Sequence, residues 1–135
     1  MNWKKIIIGT VAFFFSSFVV QGILGFILGG DYFLNIPIMR QAPVVFLSMS
    51  STVLAGIAVS MLYPITILSG TPVIRGLKFG LLIGLVMIPF VALDIPGRFM
   101  IPSEGTWILL QGLLGMLHSS LAGVLIGLVY GKDTK

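Results

Sequence analysis

His118 is the only histidine of this sequence and the side chain best suited to chemistry, because it lies in the middle of a long apolar segment. An ionisable side chain at membrane depth marks a functional site by default. It could relay a proton or contact a ligand, ligate a metal or haem, or form a hydrogen bond to a neighbouring helix as a neutral imidazole. We favour the neutral imidazole, because no acidic or basic side chain lies at the same depth to exchange a proton with it.

Two glutamines, Gln21 and Gln111, are the other strongly polar residues within apolar segments. Gln111, His118 and Ala122 are spaced by seven and four residues, so they share one helix face. That face could line a small polar cavity with Gln21, Ser16 or Ser17. We favour the simpler interpretation, interhelical hydrogen bonding worth about 0.6 kcal/mol on average. Met116 and His118 point to different helix faces and cannot both bind one copper ion. We predict no metal and no other cofactor.

Asp94 and Arg98 lie four residues apart after the third apolar segment, with Glu104 nearby. We expect a surface ion pair worth less than about 1 kcal/mol; a gate or a partner contact at an outer mouth is the alternative. The sequence contains no hydrolase, P-loop, dinucleotide or zinc motif. Since the acidic residues are also far in depth from His118, we predict no catalytic residues and a protein that is not an enzyme.

Four apolar segments must position these side chains. The chain is 57% hydrophobic and 9% charged, whereas a soluble domain carries about 25% charged residues. The segments lie at about 6–28, 43–62, 77–93 and 107–129, and each is long enough to cross a bilayer. We predict an all-α integral membrane protein with one domain, residues 1–135. Pro43 suits the first turn of the second helix, and Pro89 should kink the third.

The charges at the segment ends predict the orientation. Six of the eight lysines and arginines lie on one side, and only Arg40 and Arg98 lie on the other with Asp31, Asp94 and Glu104. The six are Lys4, Lys5, Arg75, Lys78, Lys132 and Lys135. The positive-inside rule therefore places both termini in the cytoplasm, and we expect a bacterial cytoplasmic membrane. The net charge of +4 reflects topology, so we expect no nucleic-acid partner.

Residues 47–63 and 114–130 resemble each other at a constant offset of 67, and the Leu-Ala-Gly triplet at 54–56 recurs at 121–123. The two outer loops also share an Ile-Pro step, and we expect both loops to fold back onto the helix ends. We interpret these matches as a duplicated helical hairpin, with repeat units 1–67 and 68–135 related by a pseudo-twofold axis along the membrane normal. Chance similarity between apolar helices is the alternative. The equivalent of His118 is Ser51, so histidine chemistry would belong to one half only.

Small residues recur every four positions on three of the segments. Such faces let helix backbones approach closely in lipid, and we expect tight packing along them. They comprise Ser48, Thr52, Gly56 and Ser60 in the second segment, Gly76, Gly80 and Gly84 in the third, and Gly115, Ser119, Gly123 and Gly127 in the fourth.

These observations favour a structural or accessory subunit within the lipid bilayer. It would pack through its Gly and Ser faces against further copies of itself or against other membrane subunits. The alternative is a small oligomeric transporter or channel that uses the polar stripe around His118 and Gln111. Because four helices enclose little volume, such a pore would form between protomers.

Overall fold

The computed structural model describes residues 2–40, 42, 44–66 and 68–131, and these residues are all-helical with no strand. Four helices are long and apolar enough to cross a membrane, which agrees with the four predicted segments. They are α1 (Trp3–Leu34), α2 (Val45–Ile65), α3 (Pro72–Arg98) and α4 (Glu104–Tyr130). Pro43, predicted in the first turn of the second helix, lies outside the described residues, as do Lys132 and Lys135.

Helices α1 and α3 begin earlier than the apolar segments because side chains cap their first turns. The Asn2 side chain accepts a hydrogen bond from the Lys5 backbone N–H at 3.3 Å, and the Thr71 hydroxyl accepts one from the Ile74 N–H at 3.3 Å. These caps satisfy backbone donors that have no partner within the helix. Pro72 follows Thr71 in the position where its missing N–H costs nothing. The apolar segments are therefore the middle parts of longer helices.

Helices α3 and α4 form the most extensive contact between helices, and glycines lie at its centre. A Cβ atom on Gly76 would overlap the backbone of Gly123, and a Cβ atom on Gly80 would overlap the backbone of Ser119. Only the absence of these side chains lets the two backbones come so close. Close approach of this kind gives the dispersion contacts that hold helices together in lipid.

Helices α1 and α2 contact each other through residues that lie 67 positions before the contacting residues of α3 and α4. A Cβ atom on Gly9 would stand 2.5 Å from the hydroxyl oxygen of Ser60. The pair at the same offset in the second hairpin is Gly76 and Gly127, and a Cβ atom on Gly127 would stand 2.9 Å from the Cα of Gly76. Gly56 likewise faces α1, as Gly123 faces α3. The two hairpins therefore use corresponding residues for their internal contacts.

Helix α1 also packs on α4, and this contact joins the two hairpins. Gly25 and Gly29 of α1 face Leu114 and Leu110 of α4. A twofold relation between the hairpins would require α2 to pack on α3 as extensively as α1 packs on α4, and the described residues contain no α2–α3 contact of that extent. The described residues therefore do not confirm the pseudo-twofold axis, and the repeat units remain a prediction of the sequence.

The larger core lies at the basic end of the bundle, the end that holds Lys5 and Arg75. It contains Phe13, Tyr63, Phe79, Ala122, Ile126 and Tyr130. Tyr63 lies between two aromatic rings of this core, with ring centroids 5.1 and 5.2 Å away. Lys5 donates to the carbonyl of Tyr130 at 2.9 Å, and Arg75 donates to the carbonyl of Gly131. Both cations thus satisfy carbonyls at the C-terminus of α4, where positive charge is favourable.

A smaller cluster of Ile36, Ile101 and Trp107 lies at the opposite end. This is called the acidic end, because it carries Asp31, Asp94 and Glu104. The hydroxyl of Tyr32, near the end of α1, donates to the carbonyl of Pro102 at 2.5 Å and so joins α1 to the loop between α3 and α4. Ile36 and Ile101 belong to the Ile-Pro steps, and both are buried. Their burial agrees with the expectation that the loops fold back onto the helix ends.

Helices α1 and α3 both change from α- to π-helical geometry towards the acidic end, at Phe18–Leu24 and Phe90–Asp94. In α3 the change follows Pro89, the residue predicted to kink this helix, because proline cannot bond to the preceding turn. The carbonyl of Val91 accepts a hydrogen bond from the Trp107 indole at 2.9 Å. In a π-helix the Val91 carbonyl would accept from the N–H of the residue five positions later. That residue is Pro96, which has no N–H. Trp107 therefore supplies a bond that the helix itself lacks.

Candidate functional site

A cavity of about 150 Å³ lies between α1, α3 and α4. Its polar lining comes from Gln21 of α1 and from Gln111, His118 and Ser119 of α4. Its other walls are formed by Phe13, Ile83, Gly84, Met87, Ile88, Val91 and Gly115. The structure thus brings together the three polar residues that the sequence placed on or near one helix stripe, and apolar residues form most of the remaining wall.

The π-helical segment of α1 positions Gln21 beside His118. The side-chain nitrogen Nε2 of Gln21 lies 3.4 Å from Nδ1 of His118, at the long end of hydrogen-bond range. If the amide donates to Nδ1, the neutral imidazole carries its proton on Nε2 and is a donor there. Because π-helical turns are frequent at functional sites, the change of helix geometry at Gln21 is consistent with a binding role.

His118 is buried, and its second nitrogen, Nε2, has no hydrogen-bond partner among the described residues. The ring packs edge-on against Phe13, with centroids 4.8 Å apart. The Phe13 backbone also interacts with the imidazole, but no hydrogen bond of ordinary geometry satisfies Nε2. An unpaired buried donor costs about 1–3 kcal/mol, so the site holds hydrogen-bonding capacity that its own residues do not use.

The lining can form hydrogen bonds to an uncharged group but carries no formal charge of its own. None of the cavity residues is Asp, Glu, Lys or Arg. Within residues 2–40, 42, 44–66 and 68–131, no group of three His, Asp or Glu side chains is placed to hold a metal ion. Gln111 forms no hydrogen bond with any residue in these ranges, so its amide is available to a ligand.

Ser51, the repeat equivalent of His118, does not reach this cavity. It is exposed on α2, and its hydroxyl donates to the carbonyl of Ser48 at 2.9 Å. A separate groove of about 250 Å³ runs between α1 and α2 towards the acidic end. Ser17, Gln21, Ser48 and Thr52 contribute to its lining, together with Phe14, Phe18, Gly22 and Met49. Gln21 borders both the groove and the cavity.

The predicted small-residue faces differ in how much of their length is packed. On α4, Gly115 meets Ile88, while Ser119, Gly123 and Gly127 meet α3. On α3, Gly76, Gly80 and Gly84 all meet α4. On α2, Gly56 and Ser60 are buried against α1, whereas Thr52 is half-buried and Ser48 is exposed. The face of α2 is therefore packed near the basic end and open near the acidic end.

Asp94 and Arg98 form an ion pair of 2.8 Å in the last turns of α3. Their side chains are 45% and 71% exposed, so solvent screens the pair and it contributes less than about 1 kcal/mol. Glu104 is exposed in the first turn of α4, where negative charge is favourable. In the described part of the chain it does not join the pair, and these three residues form no enclosed site.

Sequence reasoning missed Phe13 and Met87 as walls of the cavity. Phe13 lies two turns before Gln21, but nothing in its spacing distinguishes it from the other phenylalanines of the first segment. Met87 lies three residues after Gly84, and the spacing of Gly84 predicts only a packing role. The π-helical segment of α1 shifts the helix faces between Phe13 and Gln21, and regular helical spacing does not include such a shift.

Comparisons with known proteins identify no relative of this chain. No protein-family model matches it, and no curated protein or solved structure is significantly similar to it. The chemistry of the cavity and the open groove therefore follows from their own residues.

Proposed function

We propose that this protein is a small accessory subunit of a membrane complex, and that a transmembrane helix of a partner packs against the half of α2 nearest the acidic end. One observation supports this proposal most directly. The small-residue face of α2 is only half occupied, since Gly56 and Ser60 are buried against α1 while Ser48 is exposed and Thr52 is half-buried. The corresponding face of α4 is covered by α3.

The chemistry of the groove between α1 and α2 suits a helix. Small hydroxyl side chains permit a second backbone to approach closely, and this is how helices associate in lipid. The Thr52 hydroxyl donates to the carbonyl of Ser48 at 3.0 Å, so it is satisfied within α2 and requires no water. Met49 adds a flexible side chain that adapts to the shape of its neighbour.

The same proposal includes insertion in a bacterial cytoplasmic membrane with both termini in the cytoplasm. Lys5 and Arg75 lie at one end of the helices, and the acidic residues Asp31, Asp94 and Glu104 lie at the other. The positive-inside rule assigns the basic end to the cytoplasm. The open half of α2 then lies in the outer leaflet.

A transporter or channel is the alternative function, and the polar cavity is the observation that favours it. The packing between the cavity and the basic end argues against a path through a single chain. Tyr63, Phe79, Ile126 and Tyr130 fill that region, and each is at most 4% exposed. A conducting protein would need a pore between protomers, and an accessory subunit would not.

Purification of the tagged chain from its native membrane in mild detergent tests the proposal. An accessory subunit is expected to elute with a partner in fixed stoichiometry, and the mass of the complex distinguishes a second copy from a different membrane protein. A homogeneous monomer obtained from the native membrane in several mild detergents would contradict the proposal.

A further inference from the structure

The cavity between α1, α3 and α4 contains more hydrogen-bonding groups than packing of the helices requires. Nε2 of His118 is buried without a hydrogen-bond partner among the described residues. The half-buried Gln111 forms no hydrogen bond to any of those residues either. Gln21 and Ser119 complete a polar lining on two helices that face each other. Since an unpaired buried polar group destabilises a fold, the unpaired Nε2 of His118 is better explained by an occupant that pairs with it and with the nearby Gln111 amide.

The depth of the cavity restricts what the occupant can be. His118 is 14 residues from Glu104 and 12 from Tyr130, the two ends of α4. At 1.5 Å per residue it lies roughly 20 Å from either end of the helix. A charged head group would have to leave the membrane surface and lose its hydration without meeting an opposite charge in the lining. The occupant is therefore uncharged and dissolves in the hydrocarbon core.

The size and chemistry of the cavity restrict the occupant further. An apolar cavity of about 150 Å³ holds a six-membered ring such as benzene, and the volume here is about 150 Å³. The Gln111 amide and the His118 Nε2–H are donors, so a matching ligand carries acceptor oxygens. The Ser119 hydroxyl already donates to the carbonyl of Met116 at 3.2 Å. Ile83 and Ile88 offer apolar surface to the faces of the ring.

The cavity also opens sideways between α1 and α3. Gln21 and Met87 both line it and are both exposed, Met87 to 55%. These two helices are not among the pairs in extensive contact. A ligand whose ring lies inside can therefore extend an apolar chain into the surrounding lipid.

We propose that this cavity binds the ring of a membrane-soluble quinone, an uncharged ring with two carbonyl oxygens and an apolar tail. The carbonyl oxygens accept hydrogen bonds from His118 and Gln111, and the tail leaves between Gln21 and Met87. The site is separate from the groove proposed for a partner helix, although Gln21 borders both, so each proposal can fail without the other.

The test measures thermal unfolding of the purified full chain in detergent during titration with decylubiquinone. A ligand that binds only the folded state raises the melting temperature in a concentration-dependent way. Dioctanoylglycerol, which has ester carbonyls but no ring, is the comparison ligand and is expected to give no shift. A shift of the same size with dioctanoylglycerol would overturn the assignment to quinones, and the absence of any decylubiquinone shift would overturn the proposal altogether.

Variants locate the binding in this cavity. Gln111→Met keeps the size of a side chain that forms no internal hydrogen bond, so the fold is expected to survive while quinone affinity falls about tenfold or more. His118→Leu removes the second proposed donor, and it should also lower the quinone affinity. Ser51→Ala, the repeat equivalent on an exposed face, is the matched control and should bind as the unmodified chain does. Equal affinity in all three variants would place the quinone elsewhere and overturn the proposal.

Discussion

Gly123 of α4 and Gly76 of α3 lie against each other so closely that a Cβ atom on either would overlap the backbone of the other. The contact is reciprocal, and it repeats one turn along where Gly80 meets Ser119. A backbone cannot move aside as a flexible side chain can, so these positions accept no side chain. The second hairpin therefore depends on glycine at positions where α3 and α4 cross.

The Gly80→Ala substitution is expected to destabilise the protein by about 1–3 kcal/mol or more, because the new methyl group would overlap the Ser119 backbone. Gly112→Ala is the matched control on α4, where a Cβ atom would have no neighbour within 4 Å. That change removes a flexible glycine from a helix and should stabilise the protein by up to about 1 kcal/mol. Thermal unfolding in detergent, followed by circular dichroism, measures both. Equal melting temperatures for the two variants would contradict the packing described.

The contact between Gly9 and Ser60 can be tested by a double-mutant cycle. A Cβ atom on Gly9 would stand 2.5 Å from the Ser60 hydroxyl, which is a side-chain atom that can be removed. Gly9→Ala alone should destabilise the protein, and adding Ser60→Gly should restore much of the loss. We expect a coupling energy of about 0.5–3 kcal/mol between the two changes. Strictly additive effects would show that the residues are not in contact.

Tyr63 and Tyr130 occupy equivalent positions at the ends of α2 and α4 but differ in hydrogen bonding. The Tyr130 hydroxyl donates to the carbonyl of Ser60 at 2.7 Å, whereas the Tyr63 hydroxyl is buried with no partner in the described part of the chain. Tyr130→Phe should therefore cost about 1–2 kcal/mol, and Tyr63→Phe should be neutral or stabilising. The unfolding temperatures of the two variants, measured in the same detergent, test this expected difference in stability. A larger loss at Tyr63 would contradict this assignment of the hydrogen bonds.

The proposed orientation predicts which side of the membrane each loop faces. The chain contains no cysteine, so single cysteines can be introduced without a background. The Met100→Cys variant, at a side chain that is 93% exposed, should react with a membrane-impermeant maleimide in intact cells. The Ser69→Cys variant, at an exposed position on the opposite side, should react only after the cells are opened. The reverse labelling pattern would invert the proposed topology.

The sequence predicts the helices and their small-residue faces well because both depend on local spacing. It does not determine which faces meet. A four-residue spacing of Ser48, Thr52, Gly56 and Ser60 gives no information on whether the neighbour is α1 or a partner, and the structure shows α1 against only half of that face. Which helices lie side by side depends on contacts between residues far apart in the chain. The spacing of residues along one helix carries no information about those contacts.

The candidate site was predictable in its polar residues and not in its walls. Gln21, Gln111 and His118 stand out because polar side chains are rare within apolar segments. The π-helical segment Phe18–Leu24 sets the direction of Gln21, and it contains no proline that would mark it in the sequence. The pairing of Gln21 with His118 therefore becomes visible only when both helices are placed together.

The proposal that a partner helix packs on the open half of α2 has one direct test. A photoreactive benzophenone maleimide is attached to a Ser48→Cys variant in native membranes, with a Leu54→Cys variant as control. Leu54 is 67% exposed and lies on another face of the same helix. After irradiation, we predict that the Ser48→Cys variant forms a discrete protein adduct and that the Leu54→Cys variant forms only lipid adducts. Equal crosslinking of the two variants, or the absence of a protein adduct at position 48, would contradict the proposal.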